Sequence, residues 1–305
     1  MQAANAQQPL EVIDLLSPRI GSEIRADKAT LLSGNHGAAI RALLERRGVL
    51  LIRAVNLTDE EQLAFTATLG PVVKEQQVFK ISMDPSITPN AEYVKGAFYW
   101  HIDGTTLDVP MFAAVMSARK LSPSGGQTEF CNTYAAYDDL PASERSSLDK
   151  LRVVHLFEAA QRYVNPEPSH ETLQTWQRFP AKTLPLVWKH RSGRKSLVLG
   201  STASHVEGMD LREGWALLAK LRDWSTQPQF VYRHEWTVGD LVIWDNTGTM
   251  HRALPYPMDS GRRMHRTRIS GDEPIVRVRH RVTPTVRRGN RCTAMRRPRC
   301  RNLPL

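Results

Sequence analysis

Apolar and polar positions recur with two different periods along this chain, and the change of period divides it into parts. In residues 36–47 the apolar positions Ala39, Ile40, Leu43 and Leu44 fall on one stripe, which predicts a helix that Gly48 ends. The stretch "VLLIRAV" that follows is continuously apolar, the pattern of a short buried strand. Thr58 and Glu61 form a T-x-x-E capping box that opens a second helix, closed by Gly70-Pro71. After this point helical signals thin out. "PMFAAVMSARKL" predicts one or two strands, and Gly125-Gly126 a turn. "TYAAYDDLPASERSSLDKLRVVHLF" predicts helices separated by Pro141. "LPLVWKHRSGRKSLVLGS" predicts a hairpin turning at Ser192-Gly193, and "MDLREGWALLAKLRDWST" a helix. "FVYRHEWTVGDLVIWDN" reads as two strands around a turn at Gly239-Asp240, and "RRMHRTRIS" as a final strand. Residues 164–180 have loop chemistry and no clear period, and a connection of that length predicts a functional lid. Many strands with a few helices, without βαβ alternation, predict an antiparallel sandwich or barrel with helical additions.

Composition adds bounds. The chain has 305 residues, 41% hydrophobic and 24% charged, a globular balance with enough length for a sizeable core. No apolar run is long enough to span a bilayer, and "MQAANAQQPLEV" lacks the basic start and apolar core of a secretory signal. Cys131, Cys292 and Cys300 make neither a disulfide framework nor a zinc spacing, so a cytoplasmic protein is expected. The formal charge of +10 is concentrated: residues 276–305 hold ten arginines and no acid, and the rest of the chain balances to zero. That tail has little apolar periodicity and is expected to be disordered, as are residues 1–9, leaving 10–275 as the folded domain. Nucleic-acid binding is not expected of the domain; only the tail offers a polyanion-binding arm.

Candidate chemistry centres on "GAFYWHIDGTTLDVP". On an extended strand His101 and Asp103, two apart, project to one face. Two histidines and one carboxylate on one face of an octahedron suit Fe(II) and leave positions open for cosubstrate and O2. His251 stands out as the second histidine, because an apolar strand, "LVIW", runs through "DNTGT" into it. Arg262 and Arg266 follow eleven and fifteen residues later and share a strand face. A guanidinium near such a metal would pair with the distal carboxylate of 2-oxoglutarate.

Taken together, "WHID", "WDNTGTMHRALP" and "GRRMHRTRISGD" resemble the taurine dioxygenase family of Fe(II)/2-oxoglutarate-dependent oxygenases, which also holds aryloxyalkanoate dioxygenases and alkylsulfatases. The likeness extends through "GVLLIRAVNLTDEEQLAFTATLGPV", "SPSGGQTEFCNTYAAYDDLP", "PLVWKHRSGRKSLVL" and "HVEGM", covering about residues 10–274. The resemblance implies a double-stranded β-helix, or jelly roll, with helices outside. It implies that His101, Asp103 and His251 hold iron, that Thr128 and Arg262 bind 2-oxoglutarate, and that Arg266 meets the substrate's anionic group. Among Arg262, Arg263 and Arg266 the choice follows position alone. It further implies hydroxylation of a C–H bond of a small organic anion with O2, giving succinate and CO2, and cleavage when that carbon bears a heteroatom. A homo-oligomer, dimer or tetramer, is also expected.

If 93–103 is one continuous strand, Tyr93, Lys95, Ala97 and Tyr99 join His101 on the metal's side, and Tyr93, Lys95 and Tyr99 become substrate contacts. Ala97 stands where sulfonate-oxidising relatives place an asparagine, which disfavours taurine and leaves other sulfonates, sulfate esters, aryloxyalkanoates and carboxylated amines. Trp244 is expected in the core, and His265 facing away from the arginines. His234 with Glu235 is not expected to hold a second metal. Asp245 and Asn246 are expected to shape the turn before His251, and Cys131 to be a small core residue. Two alternatives stand beside this reading: a non-catalytic jelly-roll ligand-binding protein with a vestigial metal site, and a polyanion binder acting through the tail.

Overall fold

The computed structural model describes residues 10–74, 78–89 and 91–275; the N-terminal nine residues and the arginine-rich tail lie outside it. Fifteen strands form its core. They are β1 (Glu11–Ser17), β2 (Ile20–Arg25), β3 (Val49–Ile52), β4 (Phe79–Ile81), β5 (Ala113–Lys120), β6 (Thr128–Asn132), β7 (Arg152–His155) and β8 (Lys182–Pro185). Then come β9 (Val187–Lys189), β10 (Lys195–Leu197), β11 (Ala203–Val206), β12 (Val231–His234), β13 (Leu241–Asp245), β14 (Thr249–Ala253) and β15 (Arg263–Ile269). The helices are α1 (Lys28–Leu32), α2 (Gly37–Arg47), α3 (Asp59–Leu69), α4 (Thr133–Asp138), α5 (Ala142–Leu148), α6 (Phe157–Arg162), α7 (His170–Gln177) and α8 (Leu211–Ser225).

A major sheet of order β1-β2-β3-β13-β5-β15-β4 faces a minor sheet of order β12-β6-β14. Its middle strands are apolar on both faces because both are covered. Leu50, Ile52, Val115, Leu241 and Ile243 pack outward with residues of α1, α2 and α3. Val49, Leu51, Met116, Val242, Trp244 and Met264 pack inward against Phe130 and Tyr232 of the minor sheet. The far side of the minor sheet packs Cys131 and Met250 against residues of α4, α5 and α8. The result is the jelly roll with outer helices that the resemblance implied.

Local signals explain most boundaries. Gly48 closes α2 at φ 74°, and its N–H reaches the Leu44 carbonyl. The Thr58/Glu61 capping box is fully formed at the start of α3. Two readings need correction. Residues 91–98 form a 3-10 helix, not a strand; the first extended pairing is at His101. Within 164–180, helix α7 stands where a structureless lid was expected, capped by Ser169 accepting from the Thr172 N–H, with Trp176 buried. The turn at Gly239-Asp240 also does more than close a hairpin: β12 and β13 belong to different sheets, so it carries the chain from one wall to the other. No helix among the described residues is long and apolar enough to cross a membrane.

Two outcomes test this packing. A Cβ on Gly248 would sit 1.6 Å from the Tyr134 ring, so Gly248→Ala should lose on the order of 3 kcal/mol in urea unfolding. His155 is fully buried, with Nδ1 2.9 Å from the Thr202 hydroxyl, and burial pushes its pKa down to about 4. The neutral imidazole therefore contributes stability that is complete above the unfolded value near 6.5 and is lost as pH falls toward 4. The drop in unfolding free energy from pH 7 to pH 4.5 should be smaller in His155→Gln than in wild type by about 2–3 kcal/mol.

Candidate metal centre and the cavity around it

Two backbone segments meet at the centre of the roll. His101 and His251 pair as an isolated antiparallel bridge. The His101 N–H donates to the His251 carbonyl at 3.1 Å, and the His251 N–H donates to the His101 carbonyl at 2.9 Å. This pairing brings the two rings to a centroid separation of 4.1 Å. Asp103 completes the group: Oδ1 lies 3.8 Å from His101 Nε2 and Oδ2 lies 3.9 Å from His251 Nε2. One ligand atom from each residue fits within 4.8 Å of the others, the only such cluster of His, Cys, Asp or Glu among the described residues. His234 and Glu235 form no second one.

Each member is held in place by its surroundings. His101 Nδ1 is 2.8 Å from the Tyr99 carbonyl, which fixes the proton on Nδ1 and leaves the Nε2 lone pair facing Asp103. His251 lies between Phe130 and Trp244, with ring centroids 6.4 and 4.9 Å away. Burial drives its pKa well below the usual imidazole value, against the pull of Asp103. Its two ring nitrogens are buried and without a protein hydrogen-bond partner. Asp103 is fixed through its backbone: its N–H donates to Asn246 Oδ1 at 2.9 Å, and Asn246 Nδ2 donates to the Asp103 carbonyl at 2.8 Å. Burial alone would raise the Asp103 pKa, but the permanent charge of the Arg266 guanidinium beside it leads the interactions that outweigh burial and hold the carboxyl far below the usual range. A carboxylate, a neutral imidazole with orphaned nitrogens and an oriented second imidazole are the donor set of a divalent first-row metal. The residues fit the ion.

The cavity beside the cluster is lined by Thr128, Arg262 and Arg266 and by the apolar Ile81, Val94, Ala97, Phe98 and Met116. Strand β15 faces it with Arg266, while Met264 on the same face packs into the core between the sheets. Its other face is locked to α3, where Gln62 Nε2 donates to the Val115 and His265 carbonyls at 3.1 Å. His265 indeed faces away from the arginines, with Nδ1 2.6 Å from Asp59 Oδ1. Arg262 is 4% exposed; its Nη2 donates to the Gly126 carbonyl at 3.0 Å and its guanidinium carbon lies 4.7 Å from the Tyr256 ring centroid. A Cβ on Gly126 would come within 2.8 Å of Arg262 Nε, so only glycine admits the arginine there. Arg263 is exposed on the opposite side. Arg266 Nη1 donates to Asp103 Oδ2 at 2.9 Å, while its buried Nε has no protein partner. Trp236 Nε1 donates to Thr128 Oγ1 at 2.9 Å, leaving the threonine hydroxyl hydrogen free to serve another acceptor.

Three expected substrate contacts do not line this cavity. Because 91–98 is a 3-10 helix, positions three apart share a face, and Val94 and Ala97 turn inward, joined by Phe98. Tyr93 is 37% exposed and packs near Phe157. Lys95 is not among the residues that line it. Tyr99 donates its hydroxyl to the Tyr163 carbonyl at 2.9 Å and lines a separate, larger groove. Trp244, expected only in the core, also lines the cavity. Asn246, expected only to shape a turn, pins Asp103 as well. Gly200 escaped notice, although a Cβ there would lie 2.9 Å from His101 Cα; nothing in its flanking sequence betrays that long-range approach.

Comparison with known proteins agrees with this geometry. The profile of the family described as taurine catabolism dioxygenase TauD, TfdA family matches residues 13–268. The alpha-ketoglutarate-dependent 2,4-dichlorophenoxyacetate dioxygenase of Cupriavidus pinatubonensis is 35% identical over 77% of this chain and 89% of its own length. The alpha-ketoglutarate-dependent sulfate ester dioxygenase of Pseudomonas putida is 30% identical over 94% of this chain and 98% of its own. Among solved structures, AAD-2 in complex with Mn(II) and N-oxalylglycine superposes with a TM-score of 0.77 at 29% identity, covering 88% of this chain and 100% of AAD-2. The chain belongs to the taurine catabolism dioxygenase TauD, TfdA family and is an Fe(II)- and 2-oxoglutarate-dependent dioxygenase that uses O2.

Proposed function

We propose that this enzyme hydroxylates a C–H bond of a small anion with an apolar body, an aryloxyalkanoate or an alkyl sulfate ester. The observation that carries the reading is one cavity that joins His101 and His251 of the His–Asp–His cluster to Arg262, Arg266 and an apolar wall. Relatives named for 2,4-dichlorophenoxyacetate, (S)-phenoxypropionate and sulfate ester substrates support it. So does the lining: apart from Asp103 at the cluster, no carboxylate lines the cavity to pair with an ammonium. Burying an unpaired cation is costly, which disfavours taurine and carboxylated amines. The apolar side chains Ile81, Val94 and Phe98 suit a ring or alkyl chain instead. We place the enzyme in the cytoplasm and expect it to act as a homo-oligomer.

In this reading His101, Asp103 and His251 hold the metal. Bound there with 2-oxoglutarate and O2, iron supplies the oxidising power, yielding succinate and CO2. Arg262, buried and permanently charged, pairs with the far carboxylate of 2-oxoglutarate, and the Thr128 hydroxyl, oriented by Trp236, donates to the same group. Arg266 draws the substrate's anion toward the cluster through the Nε edge that Asp103 leaves free. Phe98 and Val94 cover the reacting carbon and exclude water. When that carbon carries the ether or ester oxygen, the hydroxylated product collapses with C–O cleavage.

Asp103→Ala should abolish succinate formation and metal binding while leaving the thermal midpoint near that of the metal-free wild type; retained turnover would remove the carboxylate from the ligand set. Arg262→Met should raise KM for 2-oxoglutarate roughly tenfold to a hundredfold, the loss of one charged hydrogen-bonded pair of about 1.5–3 kcal/mol. Arg266→Met should instead raise KM for phenoxyacetate or an alkyl sulfate. The reverse pattern would exchange the two arginines' roles.

A further inference from the structure

The two histidine ligands share a second connection, on the other side of the strands that carry them. Trp100 precedes His101 and Arg252 follows His251, and the Arg252 guanidinium carbon lies 4.7 Å from the Trp100 ring centroid. Arg252 Nε and Nη2 each reach Glu129 Oε2 at 2.7 Å. The other oxygen, Oε1, accepts from Arg233 Nε at 2.8 Å and lies 2.6 Å from Arg233 Nη2. Arg233, Glu129 and Arg252 stand directly opposite one another on β12, β6 and β14. Glu129 is only 4% exposed, so a carboxylate has been taken out of water on the strand between Thr128 and Phe130. Removing a charge from water costs free energy, and such a group is kept when fully satisfied by good geometry. Here both oxygens are satisfied by guanidinium forks. Arg252 also borders the metal cavity on one side and the larger groove on the other, so it forms part of the wall between them.

Resting on the metal site proposed above, we propose that the Glu129–Arg252–Trp100 clamp is a positioning device for the metal. It fixes the separation of His101 and His251 by tying their chain neighbours together behind the site. The bridge between the two histidines is isolated: the hydrogen bonds of a continuous ladder do not support it on either side. The clamp supplies that support. Arg252 grips Glu129 on the adjacent strand and covers Trp100 on the opposing segment, so neither histidine backbone can shift without breaking a charged contact or uncovering the indole.

The test uses the full chain stripped of metal and titrated with Co2+, following affinity and the ligand-field absorption that reports coordination geometry, with the thermal midpoint of each metal-free variant in parallel. Glu129→Gln and Arg252→Met should each weaken Co2+ binding about tenfold, as loss of an outer-shell partner does, and should alter the Co2+ spectrum. Arg252→Lys should recover part of the affinity, and Glu129→Gln/Arg252→Met should cost little more than either single change, because the two act as a unit. Folded Arg252→Met with wild-type affinity and an unchanged spectrum would overturn the clamp; should Glu129→Gln not fold, Arg252→Met decides alone. Absence of Co2+ binding by the wild type would instead sink the metal site itself.

Discussion

The pair of hydrogen bonds between the backbones of His101 and His251 is the constraint on which the rest of the structure depends. It joins segments 150 residues apart and gives two imidazoles a common outlook. Two packed walls make that join affordable. Strands β6 and β14 carry Phe130 and His251 on the minor sheet, and β13 on the major sheet presents Trp244 behind them. Asn246 then links the turn before His251 to the backbone on either side of Asp103, and Gly200 lets the next segment approach His101 without a side chain. The ligand geometry is thus set by main-chain contacts and glycine space more than by the ligands' own side chains. A metal held by these three residues, as proposed above, would need little rearrangement of them.

Charge sets the second constraint. Arg252, Arg262 and Arg266 all line the cavity; Arg266 is paired with the Asp103 carboxylate, and Arg262 is buried without a carboxylate partner among the described residues. A buried guanidinium satisfied mainly by one carbonyl retains unused donor capacity. That unused capacity is what suits Arg262 to the dicarboxylic acid proposed for it above. Arg266 differs, because one nitrogen is already engaged by Asp103. Its remaining edge, with the buried Nε unpartnered, is the part left for the substrate anion proposed above. The apolar remainder of the wall keeps these interactions in a low-dielectric setting, where they are strongest.

Much of this was legible in the sequence, for identifiable reasons. Continuously apolar stretches such as "LVIW" announced strands covered on both faces, and the Thr58/Glu61 box announced a helix whose other residues, Gln62 and Thr66, lock β15 from behind. The two arginines do reach one cavity, Arg266 from β15 and Arg262 from the position just before that strand begins. The segment before the first histidine was misread because two-residue counting was extended across Gly96 into "AEYVKGAF". The inward residues Val94 and Ala97 are three apart, a helical spacing that was present but not weighed. Helix α7 was missed because it buries little beyond Trp176, leaving no apolar stripe, although Ser169 ahead of Thr172 was a usable cap signal. The Glu129 clamp was invisible for a deeper reason: its three members come from distant strands, and no local pattern marks a cross-strand row.

The most direct measurement is a crystal structure of the protein with Mn2+ and N-oxalylglycine. The account predicts one metal ion bonded to His101 Nε2, the Asp103 carboxylate and His251 Nε2, with the analogue's far carboxylate on Arg262 and Thr128. A metal bonded without His251, or a far carboxylate held by Arg266 while Arg262 stays on the Gly126 carbonyl alone, would contradict it.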